Sequence, residues 1–108
     1  MATSTINSIT TKGYGKNNGQ GAGIYCYWER VGDLVTVTGM LSHENESWTI
    51  FYDIPPARIE SSIDGGGVII GRLSNGHDIY VTHSGVLQDK SASYSTRYNF
   101  SGSYICGV

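Results

Sequence analysis

The groups in this chain that could do chemistry gather in three short polar stretches. "HENESW" supplies His43, Glu46 and Trp48. "SNGHD" supplies His77 and Asp78, with Tyr80 and His83 beyond, and "QDK" supplies Gln88, Asp89 and Lys90. Aromatic rings that sit under the C–H faces of a sugar, joined by planar polar groups that meet its hydroxyls, are the chemistry of saccharide recognition. Arg58, Arg72 and Arg97 suit a phosphate or carboxylate on such a ligand, or ion pairs on the domain's own surface. Trp48 opens a strand-like run after a polar loop, a position that suits a core residue and a ligand platform equally. His77-Asp78 also fits the ordinary polarity that follows a turn.

Catalysis and metal binding find little support. The chain holds no P-loop, no dinucleotide fingerprint, no H-E-x-x-H and no C-x-x-C. No serine stands in a nucleophile-elbow context. "GYGKNNGQG" has the glycines of a phosphate loop without their spacing, and no helix follows. Glu44, Glu46, Asp53, Asp64, Asp78 and Asp89 offer many carboxylate pairs for a glycosidase, and none is singled out. On one face of an extended strand His77 and His83 would stand about 20 Å apart, too far for one ion. The expectation is a protein without enzymatic activity, metal or cofactor.

Composition bounds the rest. A chain of 108 residues is one domain, since smaller pieces could not bury a core. Charged residues make up 15%, against about 25% in ordinary globular proteins. Ser, Thr, Asn and Tyr can keep such a surface soluble, or part of it can be buried in an oligomer. The net charge is −2 and the 7 basic residues are scattered from Lys12 to Arg97, which argues against a nucleic-acid partner. No apolar run approaches the roughly 20 residues that span a membrane, and "MATSTINSIT" lacks the parts of a signal peptide. Cys26 and Cys106 read as two buried free thiols.

The elements that must position these groups read as strands. No segment keeps a helical period for three turns, and "PARIESSI" offers at most a short turn. Residues 1–22 read as a Gly-rich N-terminal segment without a long regular element, the remnant of a linker to an upstream region; residues 23–108 form the domain. Strands 23–30 and 33–42 face each other across a tight turn, with Val35, Val37 and Leu41 on one face and Thr36, Thr38 and Met40 on the other. A strand over 48–54 is closed by Pro55-Pro56. "SSIDGGG" is a loop, and strands 68–74 and 77–83 join through Asn75-Gly76 as a two-residue hairpin turn. A short strand over 86–88 and a polar loop, "SASYSTR", lead to a last strand or pair of strands from Tyr98 on. About seven short strands with turn signals roughly every 8–12 residues imply an all-β fold, a sandwich or an antiparallel, jelly-roll-like β-barrel.

The order of a Gly-rich start, "GIYCYWERVGDLVTVTGMLS", "IPP", "VIIGRLSNGHDIYVTHSGV" and a Gly/Ser/Tyr-rich tail resembles the C-terminal head domains of receptor-binding proteins on the baseplates of phages that infect lactococci. The similarity runs from about Gly21 to the C-terminus. It implies an antiparallel β-barrel head, a homotrimer, and adhesion to a host cell-wall polysaccharide without catalysis. It also implies a place in the virion at the tail tip, after synthesis in the bacterial cytoplasm, and attachment to other baseplate or tail proteins through an upstream region. By position it carries ligand contact to Asp78, His77 and Tyr80, and to Gln88 after "SGV". Asp89 stands where the family has a tryptophan, and Trp48 is placed to compensate from another loop. A carbohydrate-binding module of a polysaccharide-degrading enzyme, and a structural tail domain without ligand, are the alternatives.

Overall fold

The structure is a computed structural model that describes residues 9–58 and 67–107. It is all-β. The strands are β1 (Thr10–Tyr14), β2 (Lys16–Asn17), β3 (Tyr25–Val31), β4 (Leu34–His43), β5 (Thr49–Tyr52), β6 (Gly67–Arg72), β7 (Asp78–Thr82), β8 (Leu87–Gln88) and β9 (Tyr94–Ile105). They form a four-stranded antiparallel sheet, β1-β3-β4-β9, packed on a five-stranded one, β2-β5-β8-β7-β6. The expectations for "PARIESSI" and "SSIDGGG" fall largely or almost wholly outside the described residues.

Alternation along β4 builds one wall of the core. Val35, Val37 and Leu41 are buried, while Thr36 and Thr38 face solvent. Ile50 and Phe51 of β5, Ile79 and Val81 of β7 and Leu87 of β8 supply the other wall, and Phe100 and Tyr104 of β9 fill between. Each fully buried large side chain here stabilises the fold by about 1.5–3 kcal/mol. Trp28 packs against this core from its edge, over Gly13.

The two sheets touch at both margins. β1 runs into β2, in the other sheet, through Gly15, whose N–H donates to the Cys26 carbonyl at 2.8 Å. At the opposite margin β6 lies against β9 so closely that a Cβ on Gly102 would stand 2.5 Å from the Ile70 carbonyl oxygen. Among the described residues β6 and β9 share no ladder, so the architecture is a sandwich rather than a closed barrel.

Three details differ from the sequence reading. Residues 10–17, expected to hold no long element, carry β1 and β2 and contribute to both sheets. Polar residues 94–97, expected in a loop, begin the 12-residue β9, because long β4 offers them a ladder: Tyr94 pairs with His43. The Asn75-Gly76 turn is not a two-residue hairpin. The Leu73 N–H donates to the His77 carbonyl at 2.8 Å, enclosing three residues, and Gly76 takes the left-handed position at φ 89°.

Cys26 and Cys106 are free, and both are buried. Burial pushes the Cys26 thiol up to about 12, far from the thiolate that reacts with alkylating agents. Iodoacetamide at neutral pH should therefore leave the native protein unlabelled and modify both thiols in denaturant, a difference read by mass spectrometry. Gly102→Ala should lower stability by about 1–3 kcal/mol, because a backbone carbonyl cannot swing aside as a side chain can. Thermal melting measures this, and an unchanged midpoint would mean that the β6–β9 seam is loose.

Candidate functional site

Strand direction sorts the connections to two ends of the sandwich. Residues 18–24, the loop 44–48, the β6–β7 turn and the connection 89–93 gather at one, the loop end. The β3–β4 turn, residues 53–58, the β7–β8 turn and the C-terminal residues gather at the other.

Asp89 organises the loop end. It follows β8 directly, and its own N–H donates to the Trp48 carbonyl at 2.9 Å. Its side chain is 1% exposed. A buried carboxylate requires donors, and two hydrogen bonds reach it: the Tyr94 hydroxyl donates to Oδ2 at 2.7 Å and the Ser91 N–H donates to Oδ1 at 3.1 Å. His77 Nδ1 stands 3.4 Å from Oδ2. Burial, and then the bond to Asp89, push the Tyr94 phenol well above its usual range, so it remains a donor. Its ring packs among His77, His43 and Tyr98, edge-on with the last two.

The same contacts fix His77. Asp89 accepts only, so Nδ1 carries the proton; this tautomer is assigned from the network. Ser91 Oγ lies 2.9 Å from the same nitrogen and 3.3 Å from the Ala92 carbonyl, to which it donates. Nε2 is then the acceptor. Serine and aspartate both meet Nδ1, so this Ser-His-Asp group cannot relay a proton across the imidazole as a hydrolase triad does.

His77, Asp78, Tyr80, Asp89, Lys90 and Ser91 line an open cavity of about 160 Å³. Lys90 Nζ sits 4.3 Å from the centre of the Tyr80 ring, a cation–π contact. Asp78 Oδ1 accepts from Arg72 Nε at 3.0 Å and remains partly exposed. Beside the cavity, Thr49, Gln88, Tyr80 and Ile69 form one row across the five-stranded sheet. Gln88 Nε2 donates to Thr49 Oγ1 at 3.4 Å. Trp48 stands 53% exposed at the head of β5, so of its two sequence readings the core one is excluded.

The structure thus brings together His77, Asp78, Tyr80 and Gln88, with Trp48 and the exposed Glu46 on the neighbouring loop. Two expected site residues require correction. His43 is 1% exposed. It packs edge-on against Tyr94 and its Nε2 donates to the Ser47 carbonyl at 2.7 Å, tying down the loop rather than facing a ligand. Arg58 lies at the opposite end, 3.4 Å from Asp33, beyond the full length of β4, which is about 30 Å at ordinary strand rise. His83 is likewise in the far β7–β8 turn. Among the described residues no three His, Cys, Asp or Glu side chains gather as a metal site would require, and no helix is long and apolar enough to cross a membrane.

Sequence reasoning missed Ser91, Tyr94 and Gln20. The period-two spacing of Tyr94, Tyr98 and Phe100 was a usable signal for Tyr94. Gln20 carried none, and it anchors the loop 44–48. It is nearly buried, its Oε1 accepts the N–H groups of Glu44 at 2.6 Å and Asn45 at 3.2 Å, and its Nε2 donates to Asn45 Oδ1 at 2.9 Å. Comparison of the chain with protein-family models, curated proteins and solved structures finds no match.

Gln20→Ala removes the acceptor shared by Glu44 and Asn45. Amide exchange at these two positions should accelerate by about tenfold or more, while exchange in β3 and β4 stays slow. Unchanged exchange at Glu44 and Asn45 would mean that the loop is held by other contacts.

Proposed function

We propose that this chain is a non-catalytic saccharide-binding head, which attaches a phage to its host through a cell-wall polysaccharide. The observation that carries this reading is the loop-end cavity, where the Tyr80–Lys90 pair, Asp78 and the acceptor nitrogen of His77 converge beside an exposed Trp48. The combination suits a sugar. An aromatic body meets C–H groups, and carboxylate, imidazole and ammonium meet hydroxyls. The groups are also held in place before any ligand arrives, by Asp89 and the ladder beneath, so little conformational freedom is lost on binding. The phage setting rests on the resemblance of the hairpin, the proline pair and the "VIIGRLSNGHDIYVTHSGV" segment to lactococcal phage heads. In that setting the head works as a homotrimer on the virion, joined to other tail proteins through an upstream region. Three shallow sites on one rigid body, repeated around a baseplate, raise avidity without tight single-site contacts.

Titration with purified cell-wall polysaccharide of a lactococcal host, followed by tryptophan fluorescence, tests this directly. Trp48→Ala should abolish most of the signal and weaken binding while leaving the melting temperature nearly unchanged. Asp78→Ala should weaken binding by about tenfold, the loss of a hydrogen bond to a charged group. Absence of any fluorescence change, together with failure of the protein to compete for phage adsorption, would leave a structural tail domain as the better description.

A further inference from the structure

A second cavity opens at the loop end beside the first. Glu44, Ser93, Tyr94 and Ser95 line it, and its volume is about 400 Å³. The two linings adjoin. His77 of the first and Tyr94 of the second place their ring centres 5.5 Å apart. Ser91 of the first and Ser93 of the second are two residues apart, at most about 7 Å of chain.

An irregularity in β9 shapes this cavity. Leu41 pairs with Tyr98 and His43 with Tyr94, so Ser95, Thr96 and Arg97 together face Ser42 alone. A bulge of this kind bends its strand and re-aims side chains, and here Ser95 stands with Ser93 and Glu44 around the cavity. Glu44 is fixed from both ends. Its N–H donates to Gln20 Oε1 at 2.6 Å, and its Oε2 accepts from the buried Ser42 Oγ at 2.6 Å. Its carboxylate lies over Gly21, where any Cβ would displace it. Glu44, Ser93 and Ser95 are exposed. Arg97 is exposed as well, and its guanidinium lies over Gly23.

We propose that this cavity is an extension subsite of the loop end: it takes a further unit of the same polysaccharide, so that the site binds a segment of at least two linked sugars. The inference rests on the saccharide reading of the first cavity. Size leads to it. Pockets that bury a whole small ligand run to about 300–1,000 Å³. The first cavity, about 160 Å³, is below that range and encloses only part of a ligand, whereas the second is within the range and adjoins it. The lining chemistry selects the occupant. Two hydroxyls donate and accept, a fixed carboxylate accepts, and a tyrosine ring offers apolar contact to C–H groups. A protein anchor seats in a fully desolvated pocket, and this lining is polar and open. Charge does not choose the occupant, because the Glu44 carboxylate and the Arg97 guanidinium lie over neighbouring glycines and oppose each other.

Amide shift titrations test the proposal, with size-graded oligosaccharides from one sugar upward, released by partial acid hydrolysis of the cell-wall polysaccharide of a lactococcal host. Longer fragments should bind the intact chain about tenfold more tightly than single sugars, the effect of one or two added hydrogen bonds. Only the longer fragments should move the amide signals of Ser93 and Ser95. In Ser95→Leu, which fills the cavity from its exposed rim, the gain with length should vanish while single-sugar binding is unchanged. Thermal melting confirms that this variant folds; should it not, Ser93→Leu, outside the strand, serves. A gain with length that survives the substitution would place the added sugars along Trp48 and overturn this proposal alone. Equal affinity for every length would also overturn it alone. No binding of any fragment would overturn it together with the saccharide reading on which it rests.

Discussion

The loop end depends on one buried charge. A carboxylate with almost no exposure must be surrounded by donors, and the segments that supply them are committed to its position. Asp89 draws Ser91 from its own turn, His77 from the head of β7 and Tyr94 from the start of β9. β7 and β8 belong to one sheet and β9 to the other. A single side chain therefore links the two layers where the core ends. The placement of the cavity groups follows from it: the imidazole is turned so that its free nitrogen is an acceptor, and Lys90, next in sequence, is delivered to Tyr80.

A neutral side chain does the corresponding work on the adjoining loop. Gln20 is both acceptor and donor to 44–45, and Asn45 Nδ2 donates in turn to the Asn18 carbonyl at 2.9 Å. Loops rich in Glu, Asn and Ser have little apolar surface to bury, so hydrogen bonds to a buried amide replace packing as the means of holding them. The opposite end is built differently. Arg30 and Arg58 approach the exposed Asp33 there, beside the aliphatic row of Val31, Leu34 and Ile105. Such surface pairs contribute little to stability, and the buried anchors at this end are neutral: Thr82 Oγ1 accepts from the Ser84 and Val86 N–H groups at 3.3 Å, and the Tyr104 hydroxyl donates to the Pro55 carbonyl at 2.7 Å. A buried carboxylate distinguishes the loop end, and ligand recognition is proposed in the cavity beside it.

How much of this was legible depended on whether a residue obeys a local rule. The β3–β4 hairpin obeys several: alternating apolar positions, β-branched residues and a Gly-Asp turn, and its inner face is the one that Val35, Val37 and Leu41 announce. The two-sheet architecture followed from strand count and turn spacing. The β9 start was hidden because Ser95, Thr96 and Arg97 look like loop residues, and only the length of β4 recruits them. His43 and Asp89 were misjudged for a shared reason. Polar residues between strands are usually solvated, and whether one is instead buried depends on partners far along the chain, Tyr94 for His43 and His77 for Asp89. Trp48 was ambiguous by the same logic, because its exposure is set by the path of the preceding loop, which Gln20 controls.

The central claim is that a saccharide occupies the loop end. Nitrogen–proton correlation spectra of the labelled protein, titrated with oligosaccharides released from a host cell wall, test it most directly. Binding at this end moves the amide signals of Asp78, Tyr80, Lys90 and Ser91 and the indole signal of Trp48, in a saturable way. Shifts confined to the Arg58 end of the sandwich, or no shifts at saturating ligand, would contradict it.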